Sequence, residues 1–322
     1  MNLTFRTKSR HGYSVKFSPY FPQRLACVSS QYFGIAGCGS LFILDVYPNE
    51  IRLVKLFDWN DGLFDLTWAE NNENVLVTAS GDGSIQVWDV AQNQVPLKIL
   101  KEHTKEVNAV DWSQTRNEHF VISGSWDKSI KLWDILHSNS LLTFLGHEHI
   151  VYNVSWAPHI PGCFASASGD HTVRLWDRRK PEGCIALIPA HEGEVLTCDW
   201  CKYDQNILFS GSVDGVIRGW DMRNTSQPRC ELRGHRYAVR RIRTSPFVGS
   251  VLASASYDFS VKLWEVDRQV CVDTIEHHTE FVYGLDFNIH NPGQMADCGW
   301  DELVHVYQPS SAVFAPIVSV QN

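Results

Sequence analysis

Short runs of alternating apolar and polar residues recur along the whole chain, and no stretch sustains the 3.6-residue period of an amphipathic helix. Val107-Asn108-Ala109-Val110-Asp111-Trp112 alternates as a strand does. Residues 75–79 and 85–88, both rich in branched side chains, flank Gly81-Asp82-Gly83, which is a hairpin signal. Residues 120–123 and 130–133 do the same around Asp127, as do 165–168 with 173–176 and 252–256 with 261–264. An alternating run precedes each hairpin and a further one, such as 141–145, follows it. The pattern predicts four short strands per unit and an all-β chain.

The units are in phase. Trp68, Trp112, Trp156 and Trp200 are each 44 residues apart, and Thr244 and Phe287 continue the series. A second series runs Trp88, Trp133, Trp176, Trp220, Trp264 and Tyr307, with Leu44 one step earlier. Nine residues before the first series stand His103, His147, His191, His235 and His278. Fourteen or fifteen residues after it stand Asp82, Asp127, Asp170, Asp214, Asp258 and Asp301, five of them closing a short turn that begins with Ser. Self-similarity at a fixed period is the mark of a repeat architecture, in which stacked units share one core.

Composition narrows the class. The 322 residues are 44% hydrophobic and 20% charged, as in an ordinary folded protein. The 12 Trp against 3 Met are the unusual figure, and the repeat accounts for most of them. A net charge of −8 with no basic stripe argues against nucleic acid as a partner. No apolar run is long enough for a membrane span, and residues 1–8 lack the apolar centre of a secretory signal. Nine scattered cysteines fit free thiols in a reducing compartment, not a disulfide framework.

Four strands per unit of about 44 residues, with Trp-Asp at 88–89, 133–134, 176–177 and 220–221, resembles the WD40 β-propeller family. The resemblance covers essentially the whole chain and implies one domain, residues 1–322, of seven blades with four antiparallel strands each. The first blade is degenerate: Phe17 and Leu44 hold framework positions, but Lys8 replaces the histidine and no Asp marks its turn. Trp59 replaces the histidine in the second unit, and Glu265 and Gln308 replace the Asp of Trp-Asp in the last two. Residues 2–6 are expected to close the last blade as its outer strand. The rival segment, 314–319, contains Pro316, which cannot donate to a sheet ladder.

Some constellations imitate chemistry. Ser123, His103 and Asp127 could be drawn as nucleophile, base and orienter. The same trio recurs in several units, so a structural role is expected instead. In the family, such a trio joins the second-series Trp in a hydrogen-bonded tetrad. The resemblance carries this to His103, Asp127 and Trp133, to His147, Asp170 and Trp176, to His191, Asp214 and Trp220, and to His235, Asp258 and Trp264. Cys198-Asp199-Trp200-Cys201 has no second pair of metal ligands. Residues 34–39 are Gly-rich without the order of a nucleotide loop, and read as a hairpin tip. No metal, cofactor or catalytic activity is expected.

Propellers of this family usually bind peptides on the face carrying the entry loops of the first strands and the hairpin turns. Residues six or seven before the first series are His11, Asp61, Glu106, Ile150, Glu194, Tyr237 and Phe281. Those just before the turn Asp are Gly81, Trp126, Gly169, Val213, Tyr257 and Trp300. The set holds three carboxylates and five large aromatics with no Lys or Arg. Large apolar groups rimmed by acids favour a peptide site for an amphipathic segment with at least one Arg.

Several stretches outside the framework are similar to a narrower family, the import receptors for the type-2 peroxisomal targeting signal. They include Arg10-His11-Gly12-Tyr13, Phe33-Gly34-Ile35-Ala36-Gly37, Asp61-Gly62-Leu63-Phe64-Asp65, Lys101-Glu102-His103, Ser125-Trp126-Asp127, Ala255-Ser256-Tyr257-Asp258 and His277-His278-Thr279-Glu280-Phe281. The similarity runs from about residue 10 to 307. It implies a cytosolic receptor, cycling to the peroxisome, for cargo with an N-terminal helix of the form Arg-Leu-x5-His-Leu. The implied partners are that cargo, a co-receptor and a peroxisomal docking complex. Asp61, Glu106 and Glu194 would take the cationic end of the helix. Trp126, Tyr257 and Trp300, with Tyr237 and Phe281, would meet its apolar side. A second reading is a substrate adaptor of a cullin-type ubiquitin ligase, from Trp176-Asp177-Arg178-Arg179 and Trp220-Asp221-Met222-Arg223, which resemble a W-D-x-R box.

Overall fold

The computed structural model describes residues 2–92, 95–115 and 118–310. Its strands form seven antiparallel sheets of four strands, the blades of a propeller. Blades 1 to 6 comprise residues 11–59, 63–101, 107–144, 151–189, 195–233 and 239–275. Blade 7 combines residues 282–307 with the strand Asn2–Arg6, which pairs antiparallel with Leu303–Tyr307. Residues 314–319, the rival closing segment, lie outside the described residues. No helix among the described residues is long and apolar enough to cross a membrane.

The first strand of each blade lies innermost, against the first strands of its neighbours. These seven strands surround a central channel, and the apolar residues gather between blades. One core cluster joins Val77 and Val87 of blade 2 to Val110, Trp112 and Trp133 of blade 3, all buried. The first-series tryptophans connect adjacent blades: Trp68, Trp156 and Trp200 donate their indole N–H to the carbonyls of Lys16, Asp111 and Ser155, each at 3.1 Å. A buried indole needs such an acceptor. Where Thr244 replaces Trp in blade 6, its hydroxyl donates to the Trp200 carbonyl at 2.6 Å and connects the same two blades.

The second-series tryptophans serve turns inside each blade. In blade 3 the Trp133 indole donates to Ser123 Oγ at 2.8 Å, His103 Nε2 lies 2.7 Å from the same hydroxyl, and His103 Nδ1 meets Asp127 at 2.8 Å. His147, Ser166, Asp170 and Trp176 repeat this arrangement, as do His191, Ser210, Asp214 and Trp220, and His235, Ser254, Asp258 and Trp264. The serine hydroxyls are buried and engaged on both sides, which leaves no face open to a substrate. In blade 2, where Trp59 stands in the histidine slot, Gln86 takes over: Thr78 Oγ1 accepts from Trp88 at 2.8 Å and donates to Gln86 Oε1 at 2.6 Å. Cys198 and Cys201 belong to two different core clusters, so they do not form one ligand set.

Candidate functional site

Each innermost strand carries a β-bulge near its start. The pairing registers skip Tyr13, Phe64, Asn108, Tyr152, Leu196, Arg240 and Tyr283, one residue in each of the seven blades. A bulge leaves its extra residue unpaired and turns the side chain to a new direction. These side chains turn onto the mouth of the channel, and all seven line one cavity of about 440 Å³. Trp126, Tyr257 and Trp300 line it from the hairpin turns and Glu106 from an entry loop. Phe33, Gly34 and Ile35 reach it from the loop that joins the second and third strands of blade 1.

A backbone hydrogen bond brings the two sets of predicted residues together. The N–H of the residue before the turn Asp donates to the carbonyl of the entry loop: Trp126 to Glu106 at 2.9 Å, Val213 to Glu194 at 3.0 Å, and Trp300 to Phe281 at 2.9 Å. Gly81 with Gly62, Gly169 with Ile150 and Tyr257 with Ala238 follow the same scheme.

Most of the aromatics lie over blades 6, 7, 1 and 2, with Trp126 of blade 3 and Tyr152 of blade 4 facing them. Tyr283 and Trp300 stack at 4.9 Å with 12° between their planes, and Tyr13 packs on Tyr283 at 4.8 Å. Tyr257 donates its hydroxyl to that of Tyr283 at 2.8 Å, and Tyr13 to the Phe33 carbonyl at 2.6 Å. Burial pushes the phenols of Tyr13 and Tyr283 above their usual range and keeps them neutral. Gly34, at φ 71°, lies where a Cβ would come within 2.7 Å of both Tyr13 and Phe64. Only a glycine combines that conformation with that approach.

The side over blades 3 to 5 carries the polar groups, beside Trp126 and Leu196. Glu106 is half-buried, and its carboxylate has no ion pair among the described residues. Asn108 donates to the Tyr152 carbonyl at 2.9 Å, and Tyr152 donates its hydroxyl to Glu194 at 2.9 Å. Burial, then Glu194, raises the Tyr152 pKa.

The predicted residues divide accordingly. Glu106, Trp126, Tyr257 and Trp300 line the cavity, and Glu194 stands behind Tyr152. Phe281 stacks on Tyr257 at 4.5 Å and supports it from behind. Asp61 accepts from its own loop, at Gly62 N–H, and sits against the Gly81 turn. Tyr237 is 63% exposed and is not part of the lining. Outside the predicted set, which holds no Lys or Arg, the bulge of blade 6 places Arg240 in the wall. Among the described residues, His277, His278 and His305 bring ring nitrogens within 4.8 Å of one another. Both nitrogens of His278 are already taken by Asp297 and Asp301, in the blade 7 counterpart of the tetrads.

The arrangement offers an apolar, aromatic depression with an unpaired carboxylate at one side, which is chemistry for holding an amphipathic segment. Comparison with known proteins agrees with the architecture. The "WD domain, G-beta repeat" family matches residues 52–89, 94–134, 138–177, 182–221 and 226–265. The chain is 56% identical over 307 residues to the mouse (Mus musculus) protein named peroxisomal targeting signal 2 receptor, covering 95% of this chain and 96% of that one. It is 58% identical over 306 residues to the Homo sapiens protein of the same name, covering 95% and 94%. It is 43% identical over 345 residues to peroxisome biogenesis protein 7 of Arabidopsis thaliana, covering 92% and 95%.

Proposed function

The chain belongs to the WD40-repeat family and, within it, to the peroxisomal targeting signal 2 receptors, and from that membership we propose that its cavity seats the N-terminal targeting helix of cargo proteins. The helix has the form Arg-Leu-x5-His-Leu. Its apolar side lies on Trp126, Tyr257, Trp300 and the bulge aromatics, and its arginine meets Glu106, with Asp61 and Glu194 adding negative potential around that end. A co-receptor closes over the bound helix. The receptor works in the cytosol, delivers cargo to a docking complex at the peroxisome, and returns. No reaction is catalysed.

The observation that carries this reading is the juxtaposition of Glu106, without an ion pair of its own, with the aromatic floor of one cavity. A desolvated carboxylate discriminates strongly in favour of a cation, and arginine presents paired donors to it. The ligase-adaptor reading gains nothing from the geometry. Arg179 and Arg223 both close back on the Asp two residues earlier, Arg179 Nη2 at 2.7 Å from Asp177. The test is direct binding of a synthetic type-2 signal peptide with a competent co-receptor present. Saturable binding is expected, and its absence refutes the receptor mechanism.

A further inference from the structure

Blade 6 carries three arginines on its innermost strand, and two of them are neutralised. Arg241 pairs with Asp65 at 3.0 Å, and Arg243 lies between Asp199 at 3.9 Å and Asp286 at 3.7 Å. Arg240 differs. It is only 4% exposed, and its guanidinium rests over the Tyr283 ring at 4.9 Å. It has no carboxylate partner among the described residues, and its Nη1 is buried without a hydrogen-bond acceptor. The side chain lines the cavity that the receptor reading fills with a helix.

A buried cationic donor without an acceptor is costly. Apolar ligand surface laid over the cavity deepens that cost, and a ligand that supplies an acceptor relieves it. Arg240 stands three blades from Glu106 around the ring, so the mouth has an anion on one side and a cation on nearly the opposite side. A helix has the matching asymmetry, positive at its N-terminus and negative at its C-terminus.

We propose that Arg240 is an acceptor subsite for the C-terminal end of the bound helix, taking a carboxylate in its last turn, and that Glu106 and Arg240 together fix the direction in which the helix lies. The N-terminal arginine lies over blade 3 and the last turn over blade 6. This rests on the receptor reading and adds to it the polarity of the ligand and a second charged determinant of affinity.

The probes are two synthetic signal peptides, identical and amidated at the C-terminus, with Glu or Lys at one position of the last turn. Their affinities are measured by calorimetry on the full chain with its co-receptor. The Glu peptide is expected to bind about tenfold more tightly, the scale of one charged hydrogen bond. Arg240→Met abolishes that preference, whatever it does to the affinity of both peptides together, and Arg240→Lys retains part of it. Equal affinity of the two peptides for the wild-type chain overturns the subsite and leaves the receptor reading standing. Binding of neither peptide overturns both. A photo-cross-linker in the last turn, used on the wild-type chain, keeps the question decidable if the variants fail to fold. Capture on the segment around residues 237–240 is expected, and capture around Trp126 reverses the direction and overturns the proposal.

Discussion

Arg241 of blade 6 reaches across the central channel to Asp65 of blade 2, with Nη2 3.0 Å from Oδ1. Both side chains are 2% exposed. The two blades are not neighbours, so the pair spans the ring directly beneath the cavity floor. The other oxygen of Asp65 accepts from the Val110 N–H at 3.3 Å. Burial alone would raise the Asp65 pKa, but Arg241 and then Lys16 outweigh it and hold the carboxyl below its usual value.

Removing one member of this pair leaves a buried charge without its partner. Asp65→Ala or Arg241→Ala is expected to cost about 3–5 kcal/mol in chemical denaturation, whereas Asp65→Leu with Arg241→Met recovers most of the loss. Single variants as stable as the wild type would show that the crossing pair does not brace the ring.

The tetrads make a different prediction. In Asp127→Ala, His103 Nδ1 and the Thr104 N–H lose an acceptor that now holds them at 2.8 and 3.1 Å. Stability is expected to fall by about 1–3 kcal/mol. Thermal melting with peptide titration checks it, since binding lost at unchanged stability contradicts a purely structural tetrad.

The histidine of blade 7 is shifted the opposite way to those of blades 4 and 6, and Asp297 stands where those blades have serine. Burial lowers the His278 pKa, but Asp297 and Asp301 outweigh it and push it up to about 9. Burial holds His147 and His235 below the usual histidine value despite Asp170 and Asp258. A folded-state pKa raised from 6.5 gives stability that is full below pH 6.5 and disappears as pH rises through 9. The stability gap between wild type and His278→Gln is expected to narrow by about 3 kcal/mol from pH 6 to pH 10. The gap for His147→Gln does not narrow over that range. A gap independent of pH at His278 contradicts a charged imidazole there.

Trp300 stacks on Tyr283 and packs against Phe33 at 5.1 Å and Phe281 at 5.2 Å while facing the cavity. Trp300→Ala is expected to weaken signal-peptide binding by tenfold or more, about 1.4 kcal/mol or above. Isothermal titration on a variant with retained circular dichroism checks it, and unchanged affinity removes Trp300 from the site.

Much of this was legible in the sequence. The step of 44 residues announced the blades, because a repeat that buries its core against a neighbour must keep its framework residues in phase. The residues before the turn Asp led to Trp126, Tyr257 and Trp300. The cavity floor was missed for a definite reason. Strict alternation assigns Tyr13, Phe64, Arg240 and Tyr283 to the wrong face of their strands, and a bulge is invisible to hydropathy. The signal was available as an offset of four residues before the first series, where Tyr, Phe, Asn, Tyr, Leu, Arg and Tyr follow one another. The offset of six or seven was less informative. It falls on loops whose backbone is held in common but whose side chains diverge, so Glu106 faces the cavity while Asp61 folds onto its own loop and Tyr237 turns outward.

The most direct measurement is a charge exchange between Glu106 and the arginine of the signal peptide, with the co-receptor present. Glu106→Lys is expected to weaken the native peptide by at least about tenfold, and a peptide carrying Glu in place of that arginine to recover much of the loss on the variant alone. Glu194→Lys should weaken binding less, because Glu194 already accepts the Tyr152 hydroxyl. Native affinity in Glu106→Lys, or a reversed-charge peptide that binds both proteins equally, would contradict the seating of the signal in this cavity.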